Sequence, residues 1–275
     1  SGATIKDWGE VIVFDANQVS PSEIKDIESD ANKQMEQGTM EQHIPLLQVA
    51  SKHFIQLGKK RQYYICLAKI EEIKENWETA AKYYRKKEVG TEGLELALNM
   101  YWRQEIWEKL IQVSQLKVEK DYVRRSIARI MSQNADLEDV DYLYKYRATL
   151  AEETRKVDWK PSFIEKLVTK YRNLPISASE AREKYIKVLE YIAKKACYKE
   201  IVAFYYSEGR YEAVIDILEK VGKADERLYL ETKLKQAERS EKSEGVIVAA
   251  GALLLSSQSE SEMIPLEKKI IARFK

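Results

Sequence analysis

Only ten glycines and five prolines interrupt this chain of 275 residues, about 5% where an average chain carries ~12%. Turn formers that sparse cannot punctuate the many short strands of a sandwich or barrel. The backbone is therefore expected to run in helices, and 275 residues suffice to bury a core without disulfide or metal support.

Helix signals follow one another along the sequence. Ser20 and Glu23 flank Pro21 as a capping box with proline at the first helical position, and Ile24, Ile27, Ala31 and Met35 then share a face. Thr39 with Gln42 offers a second box before Leu46, Leu47, Ala50, Phe54, Ile55 and Leu57, with Gly58 as the stop. Gly90 ends one helix and Thr91 can cap the next. Pro161 opens a helix that breaks at Leu174-Pro175, Ser177 and Glu180 form another box, and Gly209 and Gly222 bracket a short helix. These marks predict roughly fourteen helices joined by links of two to six residues, short enough to force antiparallel neighbours. Residues 1–19 form an N-terminal extension in which Glu10–Asp15, EVIVFD, has the alternation of a short β-strand. Residues 20–275 read as one continuous array, with a midpoint marked near 157–176.

Charge and chemistry-bearing residues exclude several classes. Lysine and arginine number 46 against 45 aspartates and glutamates, so no global field marks a nucleic-acid or anionic-membrane binder. Much of this charge is expected on solvated faces as i,i+4 pairs such as Glu78 with Lys82, Glu183 with Lys187 and Glu190 with Lys194. Cys66 and Cys197 lie in apolar helical stretches without ligands at metal spacing, and read as buried thiols in a reducing, cytoplasmic setting. His43 and His53, read as one helix, stand about 15 Å apart, too far to share a metal or a proton. No phosphate loop or nucleophile elbow occurs, so neither enzyme activity nor a cofactor or metal is expected. The N-terminus lacks the basic and apolar regions of a signal peptide. The longest apolar run, VIVAAGALLL at 246–255, is half of a membrane span. It is expected to be a helix buried on all sides, or else a small-residue docking face.

A repeat is visible from Arg61. RQYYICLAKIEEIK is followed by a tight turn at Glu75-Asn76 and by WETAAKYYRKKE, two helices in about 28 residues. The pair resembles a tetratricopeptide unit: Leu67 and Ala68 stand as the large and small residues of the first helix, Trp77 begins the second, Ala80 is the small crossing residue and Tyr84 fills the gap. Residues 92–116 repeat the logic more loosely through Ala97, Leu98, a turn at Arg103-Gln104, Trp107 and a large Leu110. Residues 199–221 do so through Gly209, Tyr211 and an Ala213 displaced by one place. The irregularity is similar to the degenerate helix pairs of clathrin, coatomer and intraflagellar-transport subunits, in which a β-propeller often precedes the solenoid. The resemblance implies an all-α, right-handed α-solenoid of antiparallel helix pairs with a concave groove.

A groove of that kind implies a non-catalytic scaffold or adaptor for protein transport, one subunit of a larger assembly that takes a segment of another protein; homo-oligomerisation is compatible with it. The partner-binding residues are expected among Tyr63, Tyr64, Tyr83, Arg85, Lys86, Tyr101, Trp102 and Arg103, because adjacent aromatics of one helix cannot both enter the same core face. At least one of Tyr63/Tyr64 and one of Tyr101/Trp102 should then be exposed. The second class is a helical-repeat binder of single-stranded nucleic acid, since Lys59-Lys60-Arg61, Arg85-Lys86-Lys87 and Arg124-Arg125 interleave with tyrosines. The balanced net charge weighs against it.

Overall fold

A computed structural model describes residues 19–222, 225–257 and 259–273. Among these residues the fold is all-α, with sixteen helices where the sequence suggests about fourteen. The strand expected at Glu10–Asp15 lies outside the described residues. The described residues divide into two compact units, one ending at Gln115 and the other beginning at Leu116; the stretch 157–176 lies inside the second. No helix among the described residues is long and apolar enough to cross a membrane.

The first unit contains α1 (Pro21–Met40), α2 (Ile44–Gln56), α3 (Lys60–Ile73), α4 (Trp77–Tyr84), α5 (Thr91–Arg103) and α6 (Trp107–Val113), each packed on the one before it. In the second, α7 (Glu119–Met131), α8 (Leu137–Lys145), α9 (Arg147–Glu153), α10 (Lys160–Asn173) and α11 (Ser179–Ala193) form a cluster in which α7 meets α8, α9 and α10. The serial packing then resumes through α12 (Tyr198–Ser207), α13 (Tyr211–Lys220), α14 (Glu226–Arg239), α15 (Ser243–Ser256) and α16 (Glu260–Ile271). Consecutive packing of this kind is the arrangement of an α-solenoid.

One turn recurs. Helices α1, α2, α3, α5, α12 and α14 each end with a residue of positive φ two places past the helix, and the next N–H reaches back five residues to close the last turn, the Schellman arrangement. His43 N–H donates to the Gly38 carbonyl (2.8 Å), Lys59 to Phe54 (2.8 Å), Asn76 to Glu71 (2.8 Å) and Ile106 to Tyr101 (2.9 Å); Arg210 to Tyr205 (2.8 Å) and Lys242 to Ala237 (3.2 Å) repeat it in the second unit. The donor is also the N-cap of the following helix. A three-residue link leaves that helix no route except back along its predecessor. Glycine fills the left-handed position at Gly58 and Gly209, but Gln42, Glu75 and Glu105 hold φ of 53, 61 and 57° and Glu241 56°.

Several local expectations change. Ser20 and Glu23 do form the capping box of α1. Thr39 is inside α1, its hydroxyl donating back to the Met35 carbonyl (2.7 Å), and His43 caps α2 by accepting the Leu46 N–H at Nδ1 (3.3 Å). The two histidines are therefore not on one helix. Gly90, not Thr91, is the N-cap of α5. Ser177 does not cap α11: Ala178 stands at the N-cap position without a side-chain cap bond, held in a turn by its N–H to the Pro175 carbonyl (3.0 Å). The apolar run is buried on one face only. Val246, Ala249, Ala250 and Leu253 of α15 enter a core with Leu234, Ala237, Leu266 and Ile270, while Val248 and Leu255 are 66% and 91% exposed; among the described residues α15 packs chiefly on α14 and α16.

Ala68, Ala80 and Tyr84 are fully buried where α3 crosses α4, and the Tyr84 hydroxyl donates to Glu72 on α3. Small residues let the two backbones approach and the ring fills the space beside them. Gly93 plays the corresponding part for α5: a Cβ there would sit 2.1 Å from the Tyr84 carbonyl oxygen. In the second unit Val214, not Ala213, is the buried residue three places after Tyr211.

Left-handed backbone costs a side-chain-bearing residue ~1–2 kcal/mol, against ~0.4–1 kcal/mol of extra unfolded-state freedom for glycine. Glu75→Gly or Glu105→Gly should raise stability by about 0.5–1 kcal/mol and Gly209→Ala should lower it, read as shifts of the urea midpoint. His53 is buried in α2, and burial lowers its pKa, tempered by Asp30. As pH falls below about 6.5 the unfolded chain takes up a proton that the folded chain resists, so stability falls. The loss between pH 7.5 and 5.5 should shrink in His53→Gln.

Candidate functional site

The side chains singled out in the first helix pairs separate into two groups. Tyr63 and Tyr64 follow one another on α3 and diverge by the helical step. Tyr63 leans on the cluster of Ala31, Ala50, Phe54 and Cys66 that joins the first three helices. Tyr64 turns to α4, its ring near-parallel to Tyr83 at 23° with centroids 6.4 Å apart. Tyr63 and Tyr64 meet at 5.2 Å, so the three rings are continuous, and Lys86 sets Nζ 5.8 Å from the Tyr64 centroid. All three rings are half-buried, so the exposure expected of Tyr63 or Tyr64 is not met, each ring being partly covered by its neighbours; Arg85 and Lys86 are exposed. An ammonium over an exposed ring contributes about 0.5–1 kcal/mol, enough to orient Lys86.

Tyr101 and Trp102 belong to the other group and are corrected: both are buried, at 2% and 6% exposure. Helix α5 is packed by α4 and by α6, so neighbouring positions each find a core face, and Trp102 meets Trp107 edge-on at 5.8 Å. Neither can anchor a partner. Arg103 is exposed in the last turn of α5, where a cation complements the helix dipole. The face brought together is thus Tyr63, Tyr64, Tyr83 and Lys86, with Arg85 exposed beside it in the chain.

A second aromatic and cationic group was not legible in the sequence. Tyr144 of α8 and Tyr191 of α11 are 37% and 49% exposed, and the Arg147 guanidinium lies 5.2 and 5.9 Å from their ring centroids. Lys187 stands 5.6 Å from the Tyr144 ring but is also paired with Glu183 at 3.2 Å. The local alternation YLYKYR at 142–147 is the only signal, because Tyr191 joins from another helix.

Asp139 of the second unit is held in structural contacts. Asp139 is buried, and burial raises its pKa against the lowering pull of the Asp136 N–H it accepts at 3.0 Å and of Arg129 at 3.0 Å. The neighbouring cleft of about 100 Å³ is below the ~300 Å³ of small-molecule pockets. Beside Gly209–Ala213 a wider hollow of about 490 Å³ opens, and Arg239 at its edge donates to the Gly209 carbonyl (2.7 Å). Cys66 and Cys197 are buried free thiols, pushed up by burial to about 12 and about 11. Among the described residues no cluster of three or more His, Cys, Asp or Glu is placed to hold a metal.

No protein-family model, curated protein or solved structure matches this chain.

Truncation separates packing aromatics from surface ones. Tyr84→Ala and Tyr101→Ala should each cost about 3–5 kcal/mol, as buried aromatics do, and Tyr64→Ala about 1 kcal/mol. Equal urea midpoints for Tyr64→Ala and Tyr84→Ala would show that Tyr64 is a packing residue.

Proposed function

We propose that the protein is a non-catalytic interaction scaffold, a tetratricopeptide-like helical-repeat subunit of a larger assembly, and that it takes a segment of a partner protein on the α3–α4 face. The observation that carries this reading is the continuous patch of three half-buried tyrosines, Tyr63, Tyr64 and Tyr83, edged by Lys86. Tyrosine offers a large contact area at low entropic cost and leaves a hydroxyl for hydrogen bonding, which is why it concentrates at the centres of protein interfaces. The helix pair beneath it is closely packed, with Ala68, Ala80 and Tyr84 buried at the crossing, and a surface already formed before binding lowers the ordering cost.

The small crossing residues and flanking aromatics of α3–α4 support the tetratricopeptide-like assignment, as do the three-residue links that double one helix back on the last. The α7–α11 cluster departs from such regularity, in keeping with the degenerate arrays of transport-coat subunits.

The test is site-specific photo-cross-linking in native extract. A benzophenone side chain at position 64 should yield a discrete protein adduct, and the same group at exposed Lys52 should not. Reconstituted with the purified partner, Tyr64→Ala and Tyr83→Ala should each weaken binding by about tenfold or more, as truncated interface anchors do. No protein adduct, or an adduct equally strong from position 52, would refute the reading.

A further inference from the structure

The α3–α4 pair is electrostatically polarised along its length. Residues 59–87 hold nine lysines and arginines against four glutamates, in a chain whose formal net charge is only +1. All four glutamates, Glu71, Glu72, Glu75 and Glu78, stand at the end where the three-residue turn joins the helices. Two of them are matched there, Glu72 by Lys69 at 3.2 Å and Glu71 by Lys74 at 3.0 Å.

The opposite end is basic. Because α4 doubles back on α3, the start of α3 lies beside the end of α4, as the Tyr64–Tyr83 and Lys86–Tyr64 contacts show. Residues from two places in the sequence, Lys59–Arg61 and Lys82–Lys87, therefore share one end of the pair. Lys59 is neutralised by Glu28 of α1 at 2.9 Å and Arg61 by Glu92 of α5. Among the described residues, Lys60, Lys82, Arg85, Lys86 and Lys87 make no ion pair, so the expected Glu78–Lys82 pair is not formed, and all five are exposed. Complementing the C-terminal dipole of α4, an effect confined to the last turn, accounts for one or two of them and not for five.

From this we infer that the α3–α4 face binds an acidic segment of a partner protein: an apolar or aromatic side chain rests against Tyr63, Tyr64 and Tyr83, while flanking carboxylates meet Arg85, Lys86, Lys87 and Lys60. This deepens the scaffold reading and rests on it. The charge of the site names the partner's chemistry. Arginine receives a carboxylate in its bidentate fork, and the lysines supply mobile point charges. Nucleic acid is the weaker occupant on two counts. Binding of a single strand needs open aromatic faces on which bases stack, whereas the Tyr64 ring already has Tyr83 stacked near it and Lys86 over it. A long polyanion running beyond this end would also meet about as much negative as positive charge, given the balance of the whole chain.

The experiment uses the purified full chain and three labelled probes: a short peptide of alternating glutamate and leucine with one tryptophan, the same peptide with glutamine for glutamate, and a single-stranded RNA of similar length. Fluorescence anisotropy should show the acidic peptide bound at least about tenfold more tightly than its glutamine form, with affinity falling as salt rises from about 50 to 200 mM. The triple variant Arg85→Glu, Lys86→Glu, Lys87→Glu should lose that binding by about tenfold or more. Its circular dichroism should be unchanged, and the reversal Lys195→Glu, Lys199→Glu on exposed positions of the second unit should have no effect. Equal binding of the glutamine form, or an unaffected triple variant, overturns the inference. Tighter binding of the RNA, abolished by the same triple variant, overturns it in favour of nucleic acid. A cross-linked partner whose contact segment carries no acidic residues would defeat the acidic-segment inference and leave the scaffold standing; the absence of any protein adduct would defeat both.

Discussion

A single backbone hydrogen bond, repeated at the end of one helix after another, organises this protein. Where the N–H of an N-cap reaches five residues back, as Asn76 does to Glu71 and Ile106 to Tyr101, the finished helix and the next one are defined by the same contact. The helix loses its orphan carbonyl, the backbone passes through a left-handed residue, and the chain is aimed back along its own path. Serial packing of neighbours follows from that geometry. The side chains then decide how closely the helices lie: Ala68 against Ala80 with Tyr84 beside them, and Gly93 against the Tyr84 carbonyl.

The same constraint explains where the candidate face comes from. Doubling back places the beginning of one helix next to the end of the following one, so charges separated by some twenty-five positions in the chain become neighbours in space. Lys60 and Lys82–Lys87 form one basic end in this way, and the tyrosines of α3 and α4 form one aromatic strip. Helix α5 illustrates the opposite outcome. Flanked by α4 and α6, it can bury Met100, Tyr101 and Trp102 in succession, and its aromatics are spent on cohesion.

Much of the fold was legible because its strongest determinants are local. Capping at Ser20 and Glu23, the proline that opens α10, the stops at Gly58 and Gly209 and the small-large pattern of α3–α4 are all carried by residues with pronounced backbone or packing preferences. The remainder rests on residues that carry no such preference. Gln42, Glu75, Glu105 and Glu241 are ordinary helix formers, and nothing in their chemistry announces a left-handed turn. Thr39 and Ser177 carry capping side chains, but the neighbouring backbone found other partners. The candidate face was legible in part: Tyr63, Tyr64, Tyr83 and Lys86 come together, but Tyr63 and Tyr64 are half-buried rather than exposed because each ring packs on a neighbour, and the burial of Tyr101 and Trp102 depends on what packs on both sides of α5. Tyr144 and Tyr191 carry no local signal of their meeting, because it is tertiary.

The two cysteines have a practical corollary. With thiols pushed up by burial to about 12 and about 11, both are held in the unreactive protonated form at neutral pH, and both residues are buried. To an alkylating reagent the folded chain is nearly silent. A cysteine introduced on any outward position would take up a spin label or a fluorophore alone, so distances and local motions within either unit could be measured without first stripping the protein of its own sulfur.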